Sequence, residues 1–418
     1  MDESRFSTTA QAFSAKPYEI PLTFVEYFAG IGLFRMGLEQ TGWQVVFAND
    51  WSADRAQLYK GFFGDSYQLG DIFDLTVEEI PQATLATCSF PCIDLSLAGK
   101  GEGIDGRHSG AFWGFYNLLR EQGESAPPIV LLENVTGWLY SNGGSDFRVT
   151  AKSLNELGYF CDVFLLNALS FVPQSRPRLF MAGVRSVDVV GDGTEVATRS
   201  KRLMPRRLKE LITENEDVRW THLNIPEPPV YLSHGFSKDV VEVLNENDPQ
   251  WWSEAKVNKH LDMMSQSHLN MVRELALQED ITFRTFFRRR RKQRQRAEVR
   301  SDDIAGCLRT AVGGSGKQFL VAAGGGNVRM RTLTAREYAR LQGVPDSFPI
   351  VARTENQSLS AFGDAVCVPV VKWLATNVLS PLAEGMRAVC GAKFDVANLP
   401  EATCQETPRN DAQECSLN

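Results

Sequence analysis

Six short apolar runs recur between Leu22 and about Arg185: LTFVEYF (22–28), QVVFAN (44–49), ATLATC (83–88), IVLLEN (129–134), VFLLNAL (163–169) and RLFMAGV (178–184). Each has the length of a strand, and the stretches between them are amphipathic. This alternation predicts an α/β fold, a doubly wound and mostly parallel sheet with crossover helices. Beyond residue 186 the rhythm is lost. The chain becomes polar and rich in Arg, Asn and Gln, with the loops Gly313-Gly314-Ser315-Gly316 and Gly324-Gly325-Gly326. A second, smaller and irregular domain is expected there. Periodicity returns in a helical stretch, Thr334–Gln342, and a last apolar segment, Ala365–Leu379. The expected division is a flexible lead at 1–20, a first domain at 21–190, a second at 191–330, a return to the first at 331–382, and a disordered tail at 383–418.

Composition narrows the classes. A chain of 418 residues with 43% hydrophobic content can bury a large core in about two domains. No apolar run approaches the length of a bilayer span, so no membrane crossing is expected. The polar stretch Met1–Lys16 lacks the apolar core of an export signal. Eight cysteines without a Cys-x-x-Cys pair suggest reduced thiols rather than a disulfide framework or a metal site. A cytoplasmic protein is the expectation.

The net charge of −7 argues against a nucleic-acid binder, but its distribution reverses that reading. Residues 284–300 carry nine basic side chains and one acidic, and residues 199–209 carry six basic and none acidic. Either run alone is ordinarily a solvated face. Two in one region favour a single basic surface facing a polyanion, with Arg289, Arg290 and Arg291 at its centre.

Four signals at predicted strand ends carry chemistry. The first is the turn Phe28-Ala29-Gly30-Ile31-Gly32, where glycines let a ligand approach the backbone near a helix N-terminus. Asp50, 20 residues beyond Gly30, ends the next apolar run, where a carboxylate can accept from ribose hydroxyls. Asp71 ends the third unit and can meet an adenine amino group. With no third glycine at dinucleotide spacing, a nucleoside without a pyrophosphate fits best, and S-adenosylmethionine is the candidate.

The second signal, Phe90-Pro91-Cys92, presents a thiol at the carboxyl edge of a strand, and Pro91 stiffens its approach. A thiolate there can attack carbon 6 of a cytosine ring and leave carbon 5 electron-rich. The third is Glu133-Asn134-Val135. Glu133 ends an apolar strand where a carboxylate has no packing role, and burial would let it hold a proton for ring nitrogen 3. Asn134 can brace the loop backbone near Cys92. The fourth is Gln174-Ser175-Arg176-Pro177-Arg178, in which Arg178 can stabilise charge on the exocyclic oxygen. Arg176 can hold a phosphate or the loop, or cap the sheet edge. In order, the four read as a methyl-transfer site for cytosine.

These motifs resemble those of the cytosine-5 DNA methyltransferases of bacterial and phage type. The resemblance extends to Phe34, Asn49-Asp50-Trp51, Gly70-Asp71-Ile72, Ser96, Arg331-x-Leu333-Thr334-x-Arg336-Glu337, Leu341-Gln342-Gly343-x-Pro345 and Gly363-Asp364-Ala365-Val366. It implies that Cys92 is the nucleophile, Glu133 the acid and Arg178 the arginine at the exocyclic oxygen. It also implies that Phe28, Gly30, Gly32, Phe34, Asp50, Trp51, Asp71, Ile72, Pro91 and Asp364 line an S-adenosylmethionine pocket. The glycine-rich stretch from about Ile93 to Gly110, carrying Ser96, resembles a loop that closes over a flipped base. Residues 191–330 resemble a target-recognition domain. Double-stranded DNA is then the substrate of a monomeric enzyme, in a setting compatible with a separate restriction endonuclease. Two departures stand out: Ile93 where Gln is common, and Asp364 where Asn is common, so that the Asp364 charge needs a donor. No reason is evident for the extra length at 245–300.

Two other readings stay open at this point. A tRNA substrate is served by a branch that carries Cys-Phe-Thr in the recognition region, and Cys307-Leu308-Arg309-Thr310 is not that motif. A catalytically inactive DNA-binding relative would have no reason to keep Cys92, Glu133 and Arg178 together.

Overall fold

A computed structural model describes residues 21–91, 110–185, 199–230, 235–291, 294–310, 316–352 and 354–389. The expectations for residues 1–20, for Cys92, Ser96 and the loop after them, and for Gly313 to Ser315 lie outside the described residues.

All six expected strands form. They are β1 (Thr23–Tyr27), β2 (Gln44–Asp50), β4 (Leu85–Cys88), β5 (Ile129–Val135), β6 (Phe160–Asn167) and β7 (Pro177–Val184), joined by a two-residue edge strand, β3 (Gln68–Leu69). The sheet order is β3-β2-β1-β4-β5-β7-β6. Strands β1 to β5 are parallel, and β7 runs antiparallel between β5 and β6. Central strands buried on both faces explain the continuous apolar runs: Val130, Leu131 and Leu132 are all sealed from solvent. The reversal of β7 delivers its first residues, Pro177 and Arg178, beside the end of β5, and this is what assembles the site.

Residues 199–225 pack on the large sheet. Cys161 N donates to Arg219 O at 3.0 Å, Thr221 N to Cys161 O at 2.8 Å and Leu165 N to Leu203 O at 2.8 Å. Leu208, Leu211 and Ile212 of the helix Arg206–Glu214 are buried in the core that holds Trp138 and Phe147. The basic run 199–209 is accordingly not one outward face. The Arg199 side chain is buried and grips buried Asp162 with both terminal nitrogens, and Arg202 donates to Ser170 and to the carbonyls of Pro228 and Pro229.

The smaller domain is less irregular than its composition suggests. Strands β8 (Thr282–Arg291), β9 (Arg294–Val299), β10 (Gln318–Gly324) and β11 (Asn327–Thr332) form an antiparallel sheet in the order β11-β10-β8-β9. Arginine-rich β8 gives no apolar alternation, and this hides it from pattern reading. Helices Glu254–Asp262 and Gln266–Ala276 close a second core containing Val257, Val272, Phe286, Phe319 and Met330. The long segment at 245–300 therefore supplies both helices and the β8–β9 hairpin.

The chain then returns to the large domain. Helix Ala335–Leu341 starts from a capping box of Thr334 and Glu337. Helix Glu355–Asp364 breaks at Ala365 (φ −69°, ψ 158°), and Val368–Leu374 follows it. Helical structure continues through Ser380–Val389, with Ala383 and Met386 buried, so order extends past the expected limit near residue 383. Residues 355–386 are apolar enough by composition to cross a membrane. Their apolar side chains are nevertheless spent on the core, where Leu359, Phe362, Val371, Leu374 and Leu379 are fully buried.

One buried acid sits under the glycine turn. Glu26 of β1 is 3% exposed, and burial, only partly offset by Arg35, pushes its carboxyl up to about 8. Native Glu26 keeps a proton that the unfolded chain releases near pH 4.5, so its contribution to stability falls as pH rises from there to about 8. The slope is at most about 1.4 kcal/mol per pH unit. Glu26→Gln is expected to lose less melting temperature than the wild type between pH 5.5 and 8, as measured by calorimetry. Parallel declines for the two proteins would show that Glu26 does not titrate there.

Candidate active site

The floor of the expected cofactor site is the turn after β1. Phe28, Gly30 and Gly32 all adopt positive φ (58°, 56° and 78°), a conformation that costs a non-glycine residue and marks Phe28 as strained. Asp50 holds the turn in shape. Its Oδ2 accepts from Gly30 N at 3.0 Å and its Oδ1 from Ser52 N at 2.9 Å. A carboxylate has further lone pairs, so Asp50 can brace the turn and still accept from a ligand hydroxyl. At Gly30 a Cβ would meet nothing nearer than 3.9 Å, so the missing side chain leaves open space above the turn. Trp51 stands beside it, 65% exposed, and Phe73 is 58% exposed. Phe73 went unnoticed in the sequence because a lone aromatic carries no pattern. Its backbone N–H is capped by Asp71 at 3.2 Å. A tight glycine turn, a fixed carboxylate and two exposed aromatic rings suit a nucleoside.

Two expected pocket residues lie elsewhere. Phe34 and Ile72 are each 4% exposed and belong to the two halves of the core. Ile72 fills the space that a side chain at Gly114 would need, 2.6 Å from an added Cβ.

Asp364 receives the donors its charge requires. Arg55 Nη2 approaches Asp364 Oδ2 at 2.5 Å, and Thr310 Oγ1 donates to Oδ1 at 2.5 Å. Arg55 also lies 3.8 Å from Asp50, so one guanidinium spans two pocket carboxylates.

The catalytic corner is built by strand register. Val135 pairs with Arg178 and Glu133 with Phe180, making Glu133 and Arg178 diagonal neighbours on one face. Arg178 Nε lies 3.0 Å from Glu133 Oε1, and Glu133 is 7% exposed. Asn134 Nδ2 donates to Phe90 O at 3.2 Å, while its Oδ1 accepts from Val135 N at 2.8 Å. The asparagine thus ties the end of β5 to the segment that leads into Pro91, as its position suggested. Phe90 anchors that segment further against Phe112 and Trp138. Pro91 is half-buried at the rim.

Arg176, grouped with Glu133 and Arg178 as a candidate for the reaction or for a phosphate or loop contact, is placed differently. It is 2% exposed and donates to Leu308 O at 2.8 Å, Gly363 O at 3.1 Å and Ala365 O at 2.8 Å. Its terminal nitrogens reach three main-chain carbonyls and the Cys307 sulfur, and it acts as a fastener between distant segments. Gln174 works alongside it, donating to Leu341 O at 2.7 Å and accepting from Leu308 N at 3.1 Å.

Cys307 is the residue that sequence reading missed. Its sulfur lies 3.5 Å from Arg176 Nη1 and 3.8 Å from Arg178 Nη1. Burial pushes its thiol up, but Arg178 and Arg176 outweigh that and hold it below the usual thiol range. No spacing rule points from residue 307 to residues 176 and 178, since only tertiary packing joins them.

Of the expected DNA contacts, Arg289 and Arg291 share Glu298 at 3.1 and 2.5 Å, and Arg290 is exposed on the same hairpin.

Comparison with known proteins identifies the family. The family model for C-5 cytosine-specific DNA methylases matches residues 22–380. The chain is 26% identical over 365 residues to the type II methyltransferase M.HhaI of Haemophilus parahaemolyticus, covering 86% of this chain and 95% of that one. It is 26% identical over 364 residues to M.Bsp6I of a Bacillus strain, covering 85% and 98%. Among solved structures, the S. pombe Dnmt2 methyltransferase shares the fold at TM-score 0.57 and 20% identity, over 86% of this chain and 99% of that one. With the match spanning both domains and the late helices, the chain belongs to the C-5 cytosine-specific DNA methylase family.

Proposed function

We propose that this cytosine-5 DNA methyltransferase uses S-adenosylmethionine to methylate a cytosine flipped out of duplex DNA, through a covalent adduct at Cys92. The observation that carries the reading is the pair formed by buried Glu133 and half-buried Arg178, 3.0 Å apart, beside the Phe90-Pro91 segment that leads to Cys92. Inside a duplex the face of the ring is stacked, so the cytosine must leave the helix before a thiol can reach carbon 6.

The roles divide by chemistry. Glu133 serves ring nitrogen 3, where a proton makes carbon 6 electrophilic. Arg178 both holds Glu133 and meets the exocyclic oxygen, where negative charge grows as the sulfur–carbon bond forms. Gly30, Gly32, Asp50, Trp51, Asp71 and Asp364 would hold the cofactor, which supplies an electrophilic methyl group on a sulfonium. After transfer, water is the base that removes the carbon 5 proton, and the thiol then departs.

Within the expected recognition region at 191–330, where residues 199–225 pack on the large sheet, the small sheet and its two helices contribute target recognition, and Ser96 belongs to the loop over the base. The relatives named as type II methyltransferases support a place in a restriction–modification or DNA-protection system. A separately acting endonuclease, a monomeric enzyme and a cytoplasmic setting go with that reading.

A fluorine at carbon 5 cannot leave as a proton does. A 5-fluorocytosine duplex incubated with enzyme and S-adenosylmethionine should yield a denaturant-resistant complex, lost in Cys92→Ala. Turnover without a trapped complex would exclude the covalent route.

A further inference from the structure

A second group of positive charges lies on the small domain, apart from Arg289 to Arg291. Lys256 lies on helix Glu254–Asp262, Arg288 on β8 and Lys317 immediately before β10. Gln318 pairs with Phe287 across β10 and β8, so the next positions, Lys317 and Arg288, stand side by side. Arg288 caps the Phe319 ring at 5.0 Å, and Lys256 caps Trp252 at 4.2 Å. Those rings meet edge to face at 5.3 Å. Three cations from three segments thus lie close together, two of them over neighbouring aromatic rings.

Their electrostatics point the same way. Burial lowers the proton affinity of Lys256, and Arg288 and Lys317 lower it further by repulsion. Like charges held together on a partly desolvated surface are relieved by a polyanion. Position fits as well. Lys317 Nζ bonds Asn356 Oδ1 on helix Glu355–Asp364, and the far end of that helix is Asp364 in the candidate cofactor pocket. Ten helical residues span about 15 Å, so the cluster stands about one short helix from the pocket.

We propose that Lys256, Arg288 and Lys317 form a phosphate-binding site that holds the backbone of duplex DNA against the small sheet. The proposal rests on the DNA-methylating reading above and assigns the contacts that composition alone placed at Arg289 to Arg291.

The test is binding of a fluorescein-labelled duplex to the full chain, followed by anisotropy across a salt series. Each phosphate contact contributes roughly 0.9 to the slope of log K against log salt. Lys256→Ala/Lys317→Ala is expected to reduce that slope by about 2 and to weaken binding at least tenfold at low salt. Arg289→Ala/Arg291→Ala should change the slope by less than half as much. Asn356→Ala, which keeps both charges, should leave it unchanged. A double lysine variant with the wild-type slope overturns the proposal while leaving the DNA reading intact. An Asn356→Ala variant that reproduces the loss also overturns it, assigning the effect to packing. A wild type that binds no duplex at any salt defeats both readings.

Discussion

Glu133→Gln is expected to lower single-turnover methyl transfer to DNA by about 10²- to 10⁴-fold, the usual cost of removing a positioned general acid. The substitution keeps the shape of the side chain and an acceptor for Arg178, so the strand register that places both residues has no reason to change. What it removes is an ionisable oxygen able to pass a proton to the cytosine ring. Thermal melting and S-adenosylmethionine binding should therefore stay close to wild type while the chemical step collapses. Arg178→Met gives the complementary result. It leaves a buried Glu133 without its partner at 3.0 Å and removes the cation nearest the growing charge, so rate and stability should both fall. Radiolabelled methyl incorporation at saturating DNA separates the two variants. Near-wild-type transfer by Glu133→Gln would show that the ring nitrogen obtains its proton elsewhere.

The second large effect concerns stability rather than chemistry. Arg331 and Glu337 are both fully buried and meet through two contacts of 2.6 and 2.7 Å. Glu337 also accepts from Thr334 N and Glu242 N, each at 2.9 Å, so the pair locks the end of β11, the start of helix Ala335–Leu341 and the chain near residue 242. Glu337→Ala strands the Arg331 cation in the core and is expected to cost about 3–5 kcal/mol, read from the chemical denaturation midpoint. Replacing both residues with Met should cost much less than either single change, because no charge is left without a partner. A single variant that loses under about 1 kcal/mol would mean the site relaxes to admit water.

The legible parts of this protein share one physical trait. The runs that become β1, β4, β5 and β7 are buried along almost their whole length, so each is written in mostly apolar residues. Asp50, Glu133 and Arg178 could be picked out because polar residues at the ends of such runs need a reason to be there. Strand β8 was illegible for the opposite reason: its outer half is Arg288 to Arg291, and an arginine-rich strand looks like a solvated loop. Arg199 and Arg176 were misread for a related cause. A buried arginine and a surface arginine are the same letter, and only Asp162 or a set of carbonyls from distant segments distinguishes them. Cys307 was invisible because its partners lie 131 and 129 residues away.

That same separation bears on when the enzyme becomes competent during its own synthesis. The guanidinium of Arg176 is held by carbonyls 132, 187 and 189 residues further along the chain. A ribosome that has released Cys92, Glu133 and Arg178 has exposed every residue of the proposed chemistry, yet the carbonyls that fasten Arg176 to the Asp364 segment do not exist until about residue 365 has emerged. The nascent chain therefore carries its reactive groups for half of its translation without a completed cofactor pocket. Methylation waits for the last quarter of the protein.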